Sequence, residues 1–158
     1  MKLKSIYKDI ILESAALADF DGYTTHAALS KEKEIKGKDV KPHDAIDDLD
    51  LNTLNRNLTI KEYGYGPLNP DDEETSEEFW VQKAEMWNTT VEHAKTARCS
   101  NCSAFDRTKS TLDKIAKALG DDGHTIVEQA ELGFCELFWF KCAGARTCDA
   151  WLRGGPIK

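Results

Sequence analysis

All five cysteines of this chain lie in its last 60 residues, and no other feature limits the fold as much. Cys99 and Cys102 form a Cys-x-x-Cys pair, and Cys135, Cys142 and Cys148 follow at wider intervals. The later thiols begin in an aromatic run, Gly133-Phe134-Cys135-Glu136-Leu137-Phe138-Trp139-Phe140-Lys141-Cys142. A Cys-x-x-Cys pair brings two thiolates within one turn, so both can bind one metal or two irons of one cluster. A tight pair plus distant thiols in an apolar wrapper is what a buried metal or iron–sulfur centre requires.

The rest of the composition sets bounds around that centre. A chain of 158 residues with 41% hydrophobic residues suits one domain with an arm or tail. No apolar run approaches the roughly 20 residues of a membrane span. The basic start Met1-Lys2-Leu3-Lys4-Ser5 is interrupted by Tyr7-Lys8-Asp9 before any long uncharged stretch, so no secretory signal is read there. The expectation is a reducing compartment, where thiols are metal ligands or free more often than disulfides. A net charge of -7 argues against non-specific nucleic-acid binding by the whole chain.

Along the chain, Ser5 to Ala18 reads as a short amphipathic helix. Lys31 to Leu58 is charged, without aromatics, and its apolar residues are scattered, which predicts an extended arm or a segment ordered by a partner. Tyr63 to Pro70 reads as a turn-rich linker, giving a division into 1–62 (short helix and arm) and 63–158 (helical cysteine-rich domain). Thr75-Ser76-Glu77-Glu78 is a capping box opening a helix with Phe79, Trp80, Ala84 and Trp87 at helical spacing. Thr90 is expected to cap a helix over Val91–Ala97. Leu112, Ile115, Ala116 and Leu119 follow the i, i+3, i+4, i+7 template with Gly120 as a stop. Thr125-Ile126-Val127-Glu128 suggests one more helix, to about Leu132. After Gly133 the pattern fits neither helix nor an exposed hairpin. The predicted class is mainly α with an irregular C-terminal cysteine module and an extended N-terminal arm.

Structural zinc usually takes a second Cys-x-x-Cys or a His pair. Here the later gaps are long, and His26, His43, His93 and His124 make no ligand pair, so zinc is weakly supported. A cubane cluster needs a dry shell, which Phe105, Phe134, Phe138, Trp139, Phe140 and Trp151 would supply. The same aromatics also suit the ordinary core of a small domain.

Three segments carry a resemblance: Cys99-Ser100-Asn101-Cys102-Ser103-Ala104-Phe105, Gly133-Phe134-Cys135-Glu136-Leu137-Phe138, and Cys148-Asp149-Ala150-Trp151. Over roughly residues 98–153 the chain resembles the high-potential iron–sulfur proteins. The resemblance implies one [4Fe–4S] cubane in an aromatic, irregular fold, with Cys99, Cys102, Cys135 and Cys148 as ligands. The chain departs from that family in the longer stretch between Cys102 and Cys135, which has room for two extra helices, and in the additional thiol Cys142. That thiol is either a substitute for Cys135 or Cys148 or a buried unligated cysteine.

From about residue 64 onward, the chain also resembles uncharacterised proteins of tailed phages of marine bacteria. The shared features are Gly66-Pro67-Leu68-Asn69-Pro70, the Phe79 to Trp87 helix, the Cys99/Cys102 pair and the ending Ala145 to Ile157. This implies a phage origin and a virion or host-cytoplasm location; the arm is expected to contact other virion proteins in an oligomeric assembly, and composition and charge predict no membrane or nucleic-acid contact. Three functions follow as expectations: a virion structural or assembly protein stapled by the cluster, a soluble electron carrier, or a zinc-stabilised interaction module. No catalytic constellation is read. His93 near Glu92, and His124 near Asp121 and Asp122, sit on capping or loop segments and read as surface residues.

Overall fold

The structure is a computed structural model and describes residues 40–158. The helix expected over Ser5–Ala18 and the first part of the expected arm lie outside the described residues. The elements are α1 (Asp44–Asp47), α2 (Leu49–Tyr63), α3 (Glu73–Trp87), α4 (Val91–Ala94), a 3-10 turn (Cys99–Asn101), β1 (Phe105–Asp106), α5 (Lys109–Leu119), α6 (Gly123–Gln129), β2 (Leu132–Cys135) and β3 (Phe140–Ala143). The chain is helix-rich with one small antiparallel sheet, order β1-β2-β3. Among the described residues no helix is long and apolar enough to cross a membrane.

The expected arm is corrected over its described part, because residues 49–63 form helix α2. Asp48 caps it by accepting from the Leu51 N–H, and Gly64 closes it in the left-handed region at φ 55°. Its inward residues are Leu51, Asn52, Asn55 and Thr59. Three of these are polar, so apolar content understates what the helix buries. Asn52 Oδ1 accepts the Lys141 N–H at 2.7 Å, and the Asn55 amide donates to the Trp139 carbonyl. Ile46 and Leu51 share a core with Ile115, Ala116, Val127 and Phe134, so residues before the expected boundary at 62/63 pack with residues far beyond it.

The expected linker is also part of the body. Tyr65, Gly66 and Pro67 are buried, and Gly66 and Thr147 exchange backbone hydrogen bonds at 3.0 and 2.7 Å. Helix α3 starts earlier than the Thr75 box predicts, because Asp72 accepts the Thr75 N–H and caps Glu73 onward. Thr90 caps α4 as expected, though the helix stops at Ala94. Helix α5 ends at Gly120 as predicted, and α5 and α6 are the two helices between Cys102 and Cys135. Leu132, expected to end a helix, instead opens β2.

The irregular stretch after Gly133 is a hairpin. Its register pairs Phe134 with Lys141, Gly133 with Cys142 and Cys135 with Phe140. Alternation of apolar and polar residues fails here because both faces are covered. Side chains two apart share a face, so Phe134 and Lys141 look toward α1, α2 and α5 while Cys135, Phe140 and Cys142 look the other way. Gly133 is required where it stands, since a Cβ there would lie 2.4 Å from the Phe105 ring.

Candidate metal centre

Four separate segments bring the cysteines together. Cys99 opens the 3-10 turn and Cys102 follows it, with the Cys102 N–H bonded to the Cys99 carbonyl at 2.9 Å. The turn is held from both sides: the Cys99 N–H donates to Arg146 O at 2.7 Å and the Ser103 N–H to Leu152 O at 2.7 Å. Asn101 Oδ1 accepts the Arg98 N–H at 3.1 Å and the Trp151 indole N–H at 2.9 Å. Cys135 ends β2, Cys142 lies in β3, and Cys148 sits on the loop that returns beside Tyr63. Next to it, buried Asp149 accepts from the buried Lys83 ammonium at 2.5 Å, tying this loop to α3.

All five sulfurs face one small void of about 20 Å3. Its other walls are Ala104, Phe105, Leu137, Phe138, Ala150 and Trp151, so no polar side chain enters it. Backbone amides supply the polar contacts. The Phe138 N–H points at Cys135 Sγ at 3.4 Å and the Leu152 N–H at Cys102 Sγ at 3.5 Å. The Leu137, Ala104 and Ala150 amides face Cys135, Cys102 and Cys148 respectively. Amides aimed at sulfur stabilise thiolate charge and tune a bound centre.

The electrostatics describe a pocket that gathers thiols without a counter-charge. Burial pushes Cys102 up to about 12 despite its amide donors. Burial also raises Cys148, and the neighbouring Cys99, Cys135 and Cys102 sulfurs raise it further. Cys142 is raised by burial and by contact with Cys135 and Cys99, while the Cys142 thiol and two backbone amides lower Cys135 against its burial. A metal reverses this balance, because a coordinating thiol is deprotonated outright.

The donor set suits a soft metal centre. Tetrahedral zinc holds its sulfurs about 3.8 Å apart. Among the described residues the thiols form no ready single-ion cluster, so a zinc site would have to draw them together. A cubane has a separate iron under each thiolate and takes a wider set, so it would have to open the void of about 20 Å3. Cys142 touches Cys99 and Cys135, whereas Cys102, Cys135 and Cys148 receive backbone amides.

A second cluster lies outside the thiol pocket, and sequence reasoning missed it. His43 Nε2 is 2.6 Å from Glu136 Oε1, and the ligating atoms of His43, Asp106 and Glu136 all lie within 4.8 Å of one another. These residues are distant in sequence, so no spacing signal marks them. His93 has backbone and capping roles at α4, and His124 is exposed beside Asp113, as their segments suggested. No family model, curated protein or solved structure matches the chain.

Proposed function

We propose that Cys99, Cys102, Cys135 and Cys148 hold a [4Fe–4S] cluster that staples the fold, with Cys142 as an unligated neighbour. One observation carries this reading: five thiols from four segments surround one dry void, with backbone amides turned to three of the proposed ligands. The strands here have only two to four residues, so the sheet contributes little cohesion. Metal–thiolate binding adds folding free energy that a small core lacks.

The chain's own residues do the positioning. Asn101 and Trp151 brace the turn that carries Cys99 and Cys102, the hairpin presents Cys135, and Lys83 through Asp149 fixes the Cys148 loop. Phe105, Leu137, Phe138 and Trp151 keep water from the sulfurs. The sequence resemblance to phage-encoded proteins supports a structural place in a virion, and co-purification of the chain with phage particles tests it.

The deciding measurement is the absorption spectrum of anaerobically purified protein, with iron and zinc quantified. A broad band near 400 nm with about four irons per chain is expected, and Cys142→Ser should keep both. Colourless protein with one zinc, or with no metal, would overturn the cluster.

A further inference from the structure

Asp106 and Glu136 bring two carboxyl groups into contact, and the base facing them is a single imidazole, His43. Asp106 is 6% exposed, at the end of β1, where the Thr111 hydroxyl donates to Oδ2 at 2.6 Å and the Thr108 N–H to Oδ1 at 2.8 Å. These donors fix the carboxylate and leave lone pairs on the side facing Glu136. His43 precedes α1, and its ring packs edge-on against Phe134 with centroids 4.7 Å apart. Glu136 follows β2, and its N–H is bonded to Ala104 O at 2.9 Å. Three elements far apart in sequence thus deliver three oriented ligand atoms to one point.

We infer that His43, Asp106 and Glu136 form a second metal site, for a single first-row divalent ion and separate from the thiol pocket. An imidazole with two carboxylates is a borderline-to-hard donor set, suited to manganese, iron(II) or zinc rather than to a soft thiolate centre. Bond lengths of about 2.0–2.2 Å set ligand atoms roughly 3 Å apart, so a bound ion would open the 2.6 Å His43–Glu136 contact and draw the wider contacts in. His43 and Glu136, with side chains 35% and 32% exposed, have the freedom to make it. Their exposure also leaves the remaining coordination positions to water, as in sites with three protein ligands. Asp106 is positioned by Thr111 and Thr108, the kind of outer support that metal-ligating carboxylates receive. A bound ion would join the entrance to α1 with β1 and with the residue after Cys135, linking the helical half to the cysteine half.

The probe is Mn2+, which thiolates attract little, added to the anaerobically purified full chain and followed by electron paramagnetic resonance. One bound Mn2+ per chain is expected. His43→Ala and Glu136→Gln should each weaken it by more than about tenfold, since even outer-shell changes cost 10–100-fold. Asp113→Asn, at the exposed His124–Asp113 pair, should leave binding unchanged. The absorption near 400 nm and the far-ultraviolet circular dichroism of each variant are read alongside. The inference stands apart from the cluster, because the Mn2+ signal and the 400 nm band report on different residues. Absence of a bound Mn2+ in the parent chain, or binding that survives both variants, would overturn it.

Discussion

The two faces of the β2–β3 hairpin look into cores of different chemistry. On one side Phe134 packs with Ile46, Leu51, Ile115, Ala116 and Val127, a conventional apolar core between helices. On the other, Cys99, Cys102 and Cys142 pack with Phe105, Leu137, Phe138 and Phe140, and the centre of that group is a void. The first core is cohesive by burial alone, at about 25 cal/mol per Å2 of apolar surface. The second also buries apolar side chains but gathers five thiols at its centre, which repel one another once ionised, so a bound metal would add to its cohesion. Under the proposed cluster, one hairpin belongs to a self-sufficient half and to a metal-dependent half.

Removing ligands should break this comparison most sharply. Cys99→Ser with Cys148→Ser is expected to abolish the 400 nm band and remove most of the chain's stability, given that a structural metal site contributes on the order of 10 kcal/mol and a domain holds only about 5–15. Hydrogen exchange should accelerate first over residues 97–105 and 135–152, with α5 retaining more protection. A double variant that kept its cooperative melt would end the staple reading, and uniform loss of protection would show the two halves to be one unit.

The next effect comes from the Lys83–Asp149 pair, whose side chains are 5% and 8% exposed. Lys83→Met leaves Asp149 buried without its partner, a loss of about 3–5 kcal/mol. Burial raises the Asp149 carboxyl above its ordinary value, and Lys83 works against that rise. A raised folded-state value means that the fold favours neutral Asp149, so its contribution to stability is lost as pH rises through that value. Without Lys83 the value rises further. The deficit of Lys83→Met should accordingly be largest at neutral pH and shrink toward the carboxylate range in denaturant melts. Iron content should fall as well, because Asp149 adjoins Cys148. Normal iron in a strongly destabilised variant would separate this pair from the thiol half.

Much of the helical half was legible from the sequence. Leu112, Ile115 and Ala116 marked α5, and Gly120 marked its end, because burial on one helix face leaves a periodic trace. The cysteines were legible as a set because their side-chain chemistry is rare, and the structure brings all five to one void. Helix α2 left no such trace, since Asn52, Asn55 and Thr59 fill its buried face and act through hydrogen bonds to specific partners. The hairpin was hidden for the opposite reason: with both faces covered, apolar residues occupy consecutive positions. His43, Asp106 and Glu136 meet only through tertiary folding, so their juxtaposition is absent from any local pattern.

Asn52 offers the mildest test, from the helical side of the same hairpin. Its Oδ1 accepts the Lys141 N–H, a ladder position that β3 would otherwise leave to a further strand. Asn52→Ala removes the acceptor and leaves that N–H without a partner in a partly buried place, at a cost of roughly 1–3 kcal/mol. The loss should appear in the melt with iron content and the 400 nm band unchanged, because Lys141 faces the helices while its neighbours Phe140 and Cys142 face the thiols. If Asn52→Ala also released iron, the hairpin would be transmitting strain between its faces, and the two cores would have to be treated as mechanically coupled. If it left both melt and iron unchanged, α2 would be an accessory to the apolar core, resting on Leu51 and Ile46 rather than on its bonds to the hairpin.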